Sequence, residues 1–282
     1  MITVHDDAGR AVRLPRAARR IVSLVPSLTE TLFALGCGGA VVGVTRYCME
    51  PRMHVARISK VGGTKNPDVA RIVALRPDMV IVNAEENRQE DFAALCGAGL
   101  TVFVSFSHRA ADLPALFRRL GQLTDTTAAA AAMAAGLEDV LAQESVAPPA
   151  PRRRVFCPVW KNPWMTFNRE TYADDMLWIA GGDNVCRGHA QRYPTVQLED
   201  IAVLAPDFVL LPDEPYVFAA KDLPALAPLS DTPALRQQRV RFIDGKALSW
   251  YGPRTAAGVS YLKNLLDCLS VRDVGDDIDQ SI

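Results

Sequence analysis

No run of 18 or more consecutive apolar residues occurs, although hydrophobic residues make up 49% of the 282-residue chain. A membrane-spanning helix is therefore not expected, and the apolar content is available for a core. Neither sign of charge is in excess: 31 Lys and Arg face 32 Asp and Glu, for a net charge of −1. Without a positive field, nucleic acid and anionic membrane surfaces are excluded as expected partners. The six cysteines, Cys37, Cys48, Cys96, Cys157, Cys186 and Cys268, form neither close pairs nor metal-type doublets. Most sit among apolar neighbours, where a thiol behaves as a small hydrophobe, a usage that suits a reducing compartment. A phosphate loop is missing, and Gly36-Cys37-Gly38-Gly39 follows a helix, so it reads as a C-cap and not as a dinucleotide fingerprint. The four histidines, His5, His54, His108 and His189, have no second ligand at metal-binding spacing. Asp213-Glu214 is the one weak candidate for holding a proton or a metal. No enzymatic activity, resident metal or intrinsic cofactor is expected. The start, Met1 to Asp7, has neither the basic nor the apolar region of a secretory leader. That points to the cytoplasm for the chain as it stands, and to the periplasm if a leader has been removed.

What the chain does contain is an internal echo. Residues 71–82 read RIVALRPDMVIV and, 129 positions later, residues 200–211 read DIAVLAPDFVLL. Ile72/Ile201, Leu75/Leu204, Pro77/Pro206, Asp78/Asp207 and Val80/Val209 are identical pairs. Each copy reads as the end of a helix, a Pro-Asp turn and a buried strand. Upstream, Leu32-Phe33-Ala34-Leu35-Gly36 echoes Leu177-Trp178-Ile179-Ala180-Gly181. Both helices are expected to open with a capping box, Ser27…Glu30 and Thr171…Asp174.

Strands alternating with helices imply parallel sheets covered on both faces. In the first half, strands are expected at Ile21–Val25, Val41–Val44, Met79–Val82 and Thr101–Phe106, with helices from Thr29, Val69 and Asp91. In the second half, strands are expected at 155–159, 208–211 and 240–243, with helices at 172–179, 198–204, 233–237 and 255–269. Between them, Asp112 to Ser145 has one proline, Pro114, and strong helix propensity. It reads as a linker helix of about 30 residues, reaching about 45 Å, with a break near Gly121. Arg152-Arg153-Arg154 reads as a solvated edge, and the acidic tail beyond Val271 as frayed. The expected class is α/β, with two similar lobes of parallel sheet joined by one long α-helix. The expected boundaries are 1–110 for the N-terminal lobe, 111–151 for the helix and linker, and 152–282 for the C-terminal lobe.

Open parallel sheets bind ligands outside the carboxyl ends of their strands. The loops there hold three of the four tryptophans, whereas Trp178, inside a helix, reads as core. Tyr47, Trp160, Trp164, Tyr216, Trp250 and Tyr251 suggest a cleft for a large, flat ligand with polar edges. Arg46, Lys65, Arg192, Arg254 and Glu214 would meet those edges.

Arg20-Ile21-Val22-Ser23-Leu24-Val25-Pro26-Ser27-Leu28-Thr29-Glu30, together with Val42-Gly43-Val44-Thr45, Val61-Gly62-Gly63, Asn66-Pro67-Asp68 and Pro77-Asp78-Met79-Val80, resembles the substrate-binding proteins of ATP-driven importers for vitamin B12, haem and ferric siderophores. The resemblance covers nearly the whole chain. It implies two α/β lobes joined by a rigid helix, a metal chelate held between them (a corrinoid first, haem or a siderophore second), and a monomer. Tyr47 lies where such proteins set an aromatic against the corrin. The family also presents one glutamate per lobe to arginines of an ABC-type permease. Glu199 matches that position in the second lobe, but its counterpart in the first is Ala70, so one docking acid is missing. The rival from another class is a cytoplasmic corrinoid- or tetrapyrrole-handling enzyme or chaperone built on the same fold.

Overall fold

Met79–Asn83 and Phe208–Pro212, the strands of the two echoed segments, are buried along their whole length. Strands buried on both faces require a sheet with cover on both sides. The computed structural model, which describes residues 1–145 and 151–267, contains two such sheets. The first runs Ser59–Lys60, Val41–Val44, Ile21–Ser23, Met79–Asn83, Val102–Ser105, all parallel. The second runs Gly182–Asn184, Arg153–Phe156, Phe208–Pro212, Val240–Ile243, again all parallel. Without the edge strand Ser59–Lys60 the two orders are the same. The chain divides into two compact units, Met1–Leu141 with Trp250–Ala256, and Ala142–Ser249 with the segment from Ala257 onward. The division falls at 141/142, and Trp250–Ala256 returns to the first unit.

The internal echo has a mechanical cause. In the first unit Asp78 Oδ2 accepts the backbone N–H groups of Arg19 and Arg20 at 2.8 and 2.9 Å, while the Arg20 guanidinium donates to the Leu75 carbonyl. In the second, Asp207 Oδ2 accepts the Arg154 N–H at 2.9 Å, and the Arg154 guanidinium donates to the Leu204 carbonyl. The residues before the two Pro-Asp pairs, Arg76 and Ala205, both turn through a left-handed conformation, φ 46° and 45°. Each clasp ties the end of a helix to the entry of the central strand and satisfies carbonyls that the helix leaves open. Arg154, exposed as expected of a solvated edge, also belongs to a clasp.

Several expectations are corrected. The helix Pro26–Ala34 starts at N-cap Val25 without a side-chain cap, so Ser27 lies inside the first turn and forms no capping box. Thr171 does cap Tyr172–Ile179, accepting the Asp174 N–H. The Asp174 carboxylate turns away, to Asn184 and Arg187. The stretch 112–145 is two helices, Leu113–Thr124 and Thr127–Ser145, separated at Asp125, which adopts φ 61°, ψ 39°. Arg118 meets Glu138 through both carboxylate oxygens at 2.9 Å, so the second helix folds back along the first. Gly121 does not break the helix. A Cβ there would lie 2.5 Å from that of Ala130, so glycine permits the close helix approach. The helix that passes from one unit into the other is the 19-residue Thr127–Ser145, about 28 Å long at the usual rise. Trp178 is not core: it is 37% exposed and lies between the guanidinium groups of Arg152 and Arg187, each 3.5 Å from its ring centre. Residues 268 and 269 and the tail beyond Val271 lie outside the described residues.

Candidate functional site

Each sheet reverses its strand order once, between Ile21–Ser23 and Met79–Asn83 in the first unit and between Arg153–Phe156 and Phe208–Pro212 in the second. The loops at the carboxyl ends of these strands are where an open sheet takes a ligand.

In the first unit these ends are closed by buried polar groups. Thr29 Oγ1 donates within 2.9 Å of Ser23 Oγ and the Val25 carbonyl, and lies 3.2 Å from Cys48 Sγ, which is 3.2 Å from Thr45 Oγ1. Burial pushes the Cys48 thiol up from its ordinary pKa, so it stays protonated and structural. This knot anchors the turn that carries Arg46 and Tyr47 outward. Tyr47 is 54% exposed, with the Arg46 guanidinium 5.3 Å from its ring centre. The Arg46 N–H reaches the Gly62 carbonyl, and a Cβ on Gly63 would stand 3.0 Å from the guanidinium. Glycine is what leaves that guanidinium its space. Lys65 is exposed in the turn that follows Gly62–Gly63.

Trp250 and Tyr251, expected to face a ligand, are instead 7% and 5% exposed. The Tyr251 hydroxyl accepts from Asn83 Nδ2 at 2.5 Å and lies 2.8 Å from Ser105 Oγ, bridging the ends of two neighbouring strands. Burial drives its pKa far upward, and the hydrogen bonds only partly offset this. Arg254 Nε donates to Glu30 Oε2 at 2.7 Å, so this guanidinium is oriented by a carboxylate of its own unit. An aromatic count along the loops could not distinguish Tyr251 from Tyr47. Only the position of Asn83 and Ser105 at adjacent strand ends does so.

In the second unit the aromatic residues do come together. The segment after Arg153–Phe156 doubles back, with Val159 N–H to Met165 O at 2.8 Å and Met165 N–H to Trp160 O at 3.1 Å. Its tip packs on the segment after Phe208–Pro212. Trp160 meets Tyr216 edge to face at 5.7 Å, Trp164 stacks on Phe218 at 5.9 Å with 8° between planes, and Tyr216 lies 4.6 Å from Phe218. Trp160 remains 43% exposed. Trp164 and Tyr216 are half-buried supports for it. The sequence reading missed Phe218, Lys161 and Asp222. Lys161 Nζ lies 2.7 Å from Asp222 Oδ1, with side chains 16% and 4% exposed. The lysine, first, and the Ala219 N–H hold the Asp222 carboxyl below its ordinary pKa, against the upward push of burial. Asp213 is committed to the Gly245 N–H at 2.7 Å, and Glu214 beside it is half-buried. Arg192 is half-buried.

Among the described residues there is no group of three or more His, Cys, Asp and Glu placed to hold a metal ion, and no helix long and apolar enough to cross a membrane. Ala70 and Glu199 are both exposed and both second in their helices, Val69–Ala74 and Leu198–Val203, as the internal echo requires. Asp68, two residues before Ala70, caps the same helix by accepting the Arg71 N–H.

Comparison with known proteins fits this arrangement. The chain is 28% identical over 271 residues to the Bacillus subtilis (strain 168) protein described as "Uncharacterized ABC transporter substrate-binding lipoprotein YvrC", covering 93% of this chain and 84% of that one. Among solved structures, the periplasmic haem-binding protein BhuT in complex with two haems is 30% identical, with a TM-score of 0.77, over 90% of this chain and 100% of that one. The periplasmic vitamin B12-binding protein BtuF of Vibrio cholerae has the same fold, with a TM-score of 0.78 at 22% identity, over 90% and 99% of the two chains. The sequence pattern of the family described as "Periplasmic binding protein" matches residues 21–247, and the chain belongs to that family.

Proposed function

We propose that this protein is the solute-binding component of an ATP-driven importer and that its cargo is a metal chelate built on a large ring, a corrinoid first and haem second. The observation that carries the reading is the aromatic edge at the switch point of the second sheet. There Trp160 is held exposed by Tyr216, with Trp164 and Phe218 stacked beneath the same tip. A half-exposed indole suits a broad planar or apolar ring face. Tyr47, exposed beside Arg46, offers the same pairing of aromatic and cation in the first unit. Arg46 and Lys65 would take carboxylates or amides on the rim of the cargo. Haem stands second because the relative at 30% identity holds two haems. The cytoplasmic enzyme or chaperone has no counterpart among the relatives named above.

By the same family resemblance Glu199 is the acid offered to a permease arginine, and Ala70 leaves the first unit without one. Docking through these positions then rests on a single acid. The binding reading is tested by titrating the protein with hydroxocobalamin, haem and a ferric siderophore while following tryptophan fluorescence. Quenching by at least one of them, weakened in Trp160→Ala and in Tyr47→Ala, is expected. Quenching that neither substitution changes would count against Trp160 and Tyr47 as binding residues.

A further inference from the structure

Asp222 accepts from three donors, two in its own segment and one in the segment that carries Trp160. Its Oδ1 accepts from Lys161 Nζ at 2.7 Å and from the Tyr216 hydroxyl at 3.3 Å, and its Oδ2 accepts the Ala219 N–H at 3.0 Å. Lys161 follows Trp160 directly, and its ammonium stands 5.9 Å from the centre of the Trp164 ring. The carboxylate is 4% exposed and the lysine 16%. Charges this well buried keep each other in place, because removing one strands the other in a poorly solvating site. The indole of Trp160, by contrast, is 43% exposed, and its ring contact among the described residues is the edge contact with Tyr216. Aromatic packing alone leaves such a ring free to change rotamer.

We propose that the Lys161–Asp222 ion pair is a positioning device: it clamps the Trp160 tip to the Tyr216 segment, so that the exposed indole edge is already in its binding geometry before cargo arrives. The inference deepens the binding function proposed above and rests on it for its affinity consequences alone. A preset aromatic edge gains affinity because less side-chain freedom is lost on binding. Neither Lys161 nor Asp222 need touch the cargo, and Asp222, in particular, faces inward to its three donors.

The test compares the wild type with Asp222→Asn, Lys161→Met and the double variant Lys161→Met/Asp222→Asn, all labelled with 5-fluorotryptophan. The Trp160 resonance is assigned by its loss in Trp160→Phe, and the Trp178 resonance serves as an internal control. Each single variant leaves one buried charge unpaired, whereas the double variant replaces the pair by neutral groups of similar volume, which buried sites tolerate well. The Trp160 resonance is expected to shift and broaden in each single variant and to return in the double variant, with Trp178 unmoved. With hydroxocobalamin or haem as the probe, affinity is expected to fall about tenfold in the single variants and to recover in the double. A Trp160 resonance unaffected by Asp222→Asn in the folded protein overturns the proposal. So does undiminished binding of a probe that the wild type takes up. If the wild type binds neither probe, the binding function fails, and the fluorine spectra alone decide whether the pair positions Trp160.

Discussion

Replacing Tyr251 by phenylalanine removes one oxygen from a site with no solvent to replace it. The hydroxyl receives Asn83 Nδ2 at 2.5 Å and shares a proton with Ser105 Oγ at 2.8 Å, and the residue is 5% exposed. In the variant Ser105 Oγ keeps its bond to the Val82 carbonyl, but Asn83 Nδ2 is left with only the 3.4 Å contact to Ser105. A buried donor deprived of its main partner costs about 1–3 kcal/mol, and the hydroxyl's second bond adds about 0.5–1.5. The sum is about 1.5–4.5 kcal/mol, a large share of the stability of an ordinary domain. The effect carries a pH signature. Burial raises the folded pKa of Tyr251 above the ordinary value near 10, so above pH 10 the unfolded chain releases a proton that the folded protein retains. The contribution of Tyr251 is therefore complete below about pH 10 and declines as pH rises, by up to about 1.4 kcal/mol per pH unit. Tyr261, Cys157 and Cys186 are shifted the same way, but they are common to both proteins and cancel in the difference. Denaturant unfolding at pH 7, 9, 10 and 11 measures that difference directly. The wild type should exceed Tyr251→Phe by the full amount up to about pH 10, with the gap closing above it. A gap below about 0.5 kcal/mol at pH 7, or one that does not change with pH, would refute the assignment of Tyr251 to a buried structural tie.

Gly121→Ala would put a methyl 2.5 Å from Ala130 Cβ, and the strain should lower stability by about 1–3 kcal/mol in thermal unfolding. Asp78→Ala and Asp207→Ala open equivalent clasps, and each should cost about 1 kcal/mol by denaturant titration, confined to the transition of the unit that carries it if the units unfold separately. In reconstituted membranes with a B12-type permease, Glu199→Ala should abolish most of the residual association and Ala70→Glu should increase it. A semi-buried charge pair contributes about 2 kcal/mol or more, against about 0–1 for an exposed one. Association unchanged by both would remove these positions from docking.

Much of the architecture could be read directly from residue patterns. Alternating buried strands and helices mark both sheets, and the repeated Leu-x-Pro-Asp-x-Val segment marks equivalent places in them, because one clasp geometry needs the same proline, aspartate and leucine carbonyl twice. Three features escaped for physical reasons. Gly182–Asn184 has little strand propensity and forms a strand through its pairing with Arg153–Val155, where Asn184 is held by Asp174 and the Phe167 carbonyl. Helix propensity ran unbroken past Asp125, since the signal for the turn is one aspartate tolerating a left-handed conformation. The division of loop aromatics into exposed and buried depends on partners far along the chain, 168 residues away for Tyr251 and Asn83 and 61 for Lys161 and Asp222. Local patterns carry no record of such pairings, so the site was legible as a set of loops but not as a geometry.

The function proposed for this fold is capture of a ring-type metal chelate. Equilibrium dialysis of the purified protein against hydroxocobalamin, haem and a ferric siderophore, read by the visible absorbance retained with the protein, addresses it most directly. Stoichiometric retention of the corrinoid or of haem, reduced in Trp160→Ala, is expected. Retention of none of the three by folded protein would contradict it.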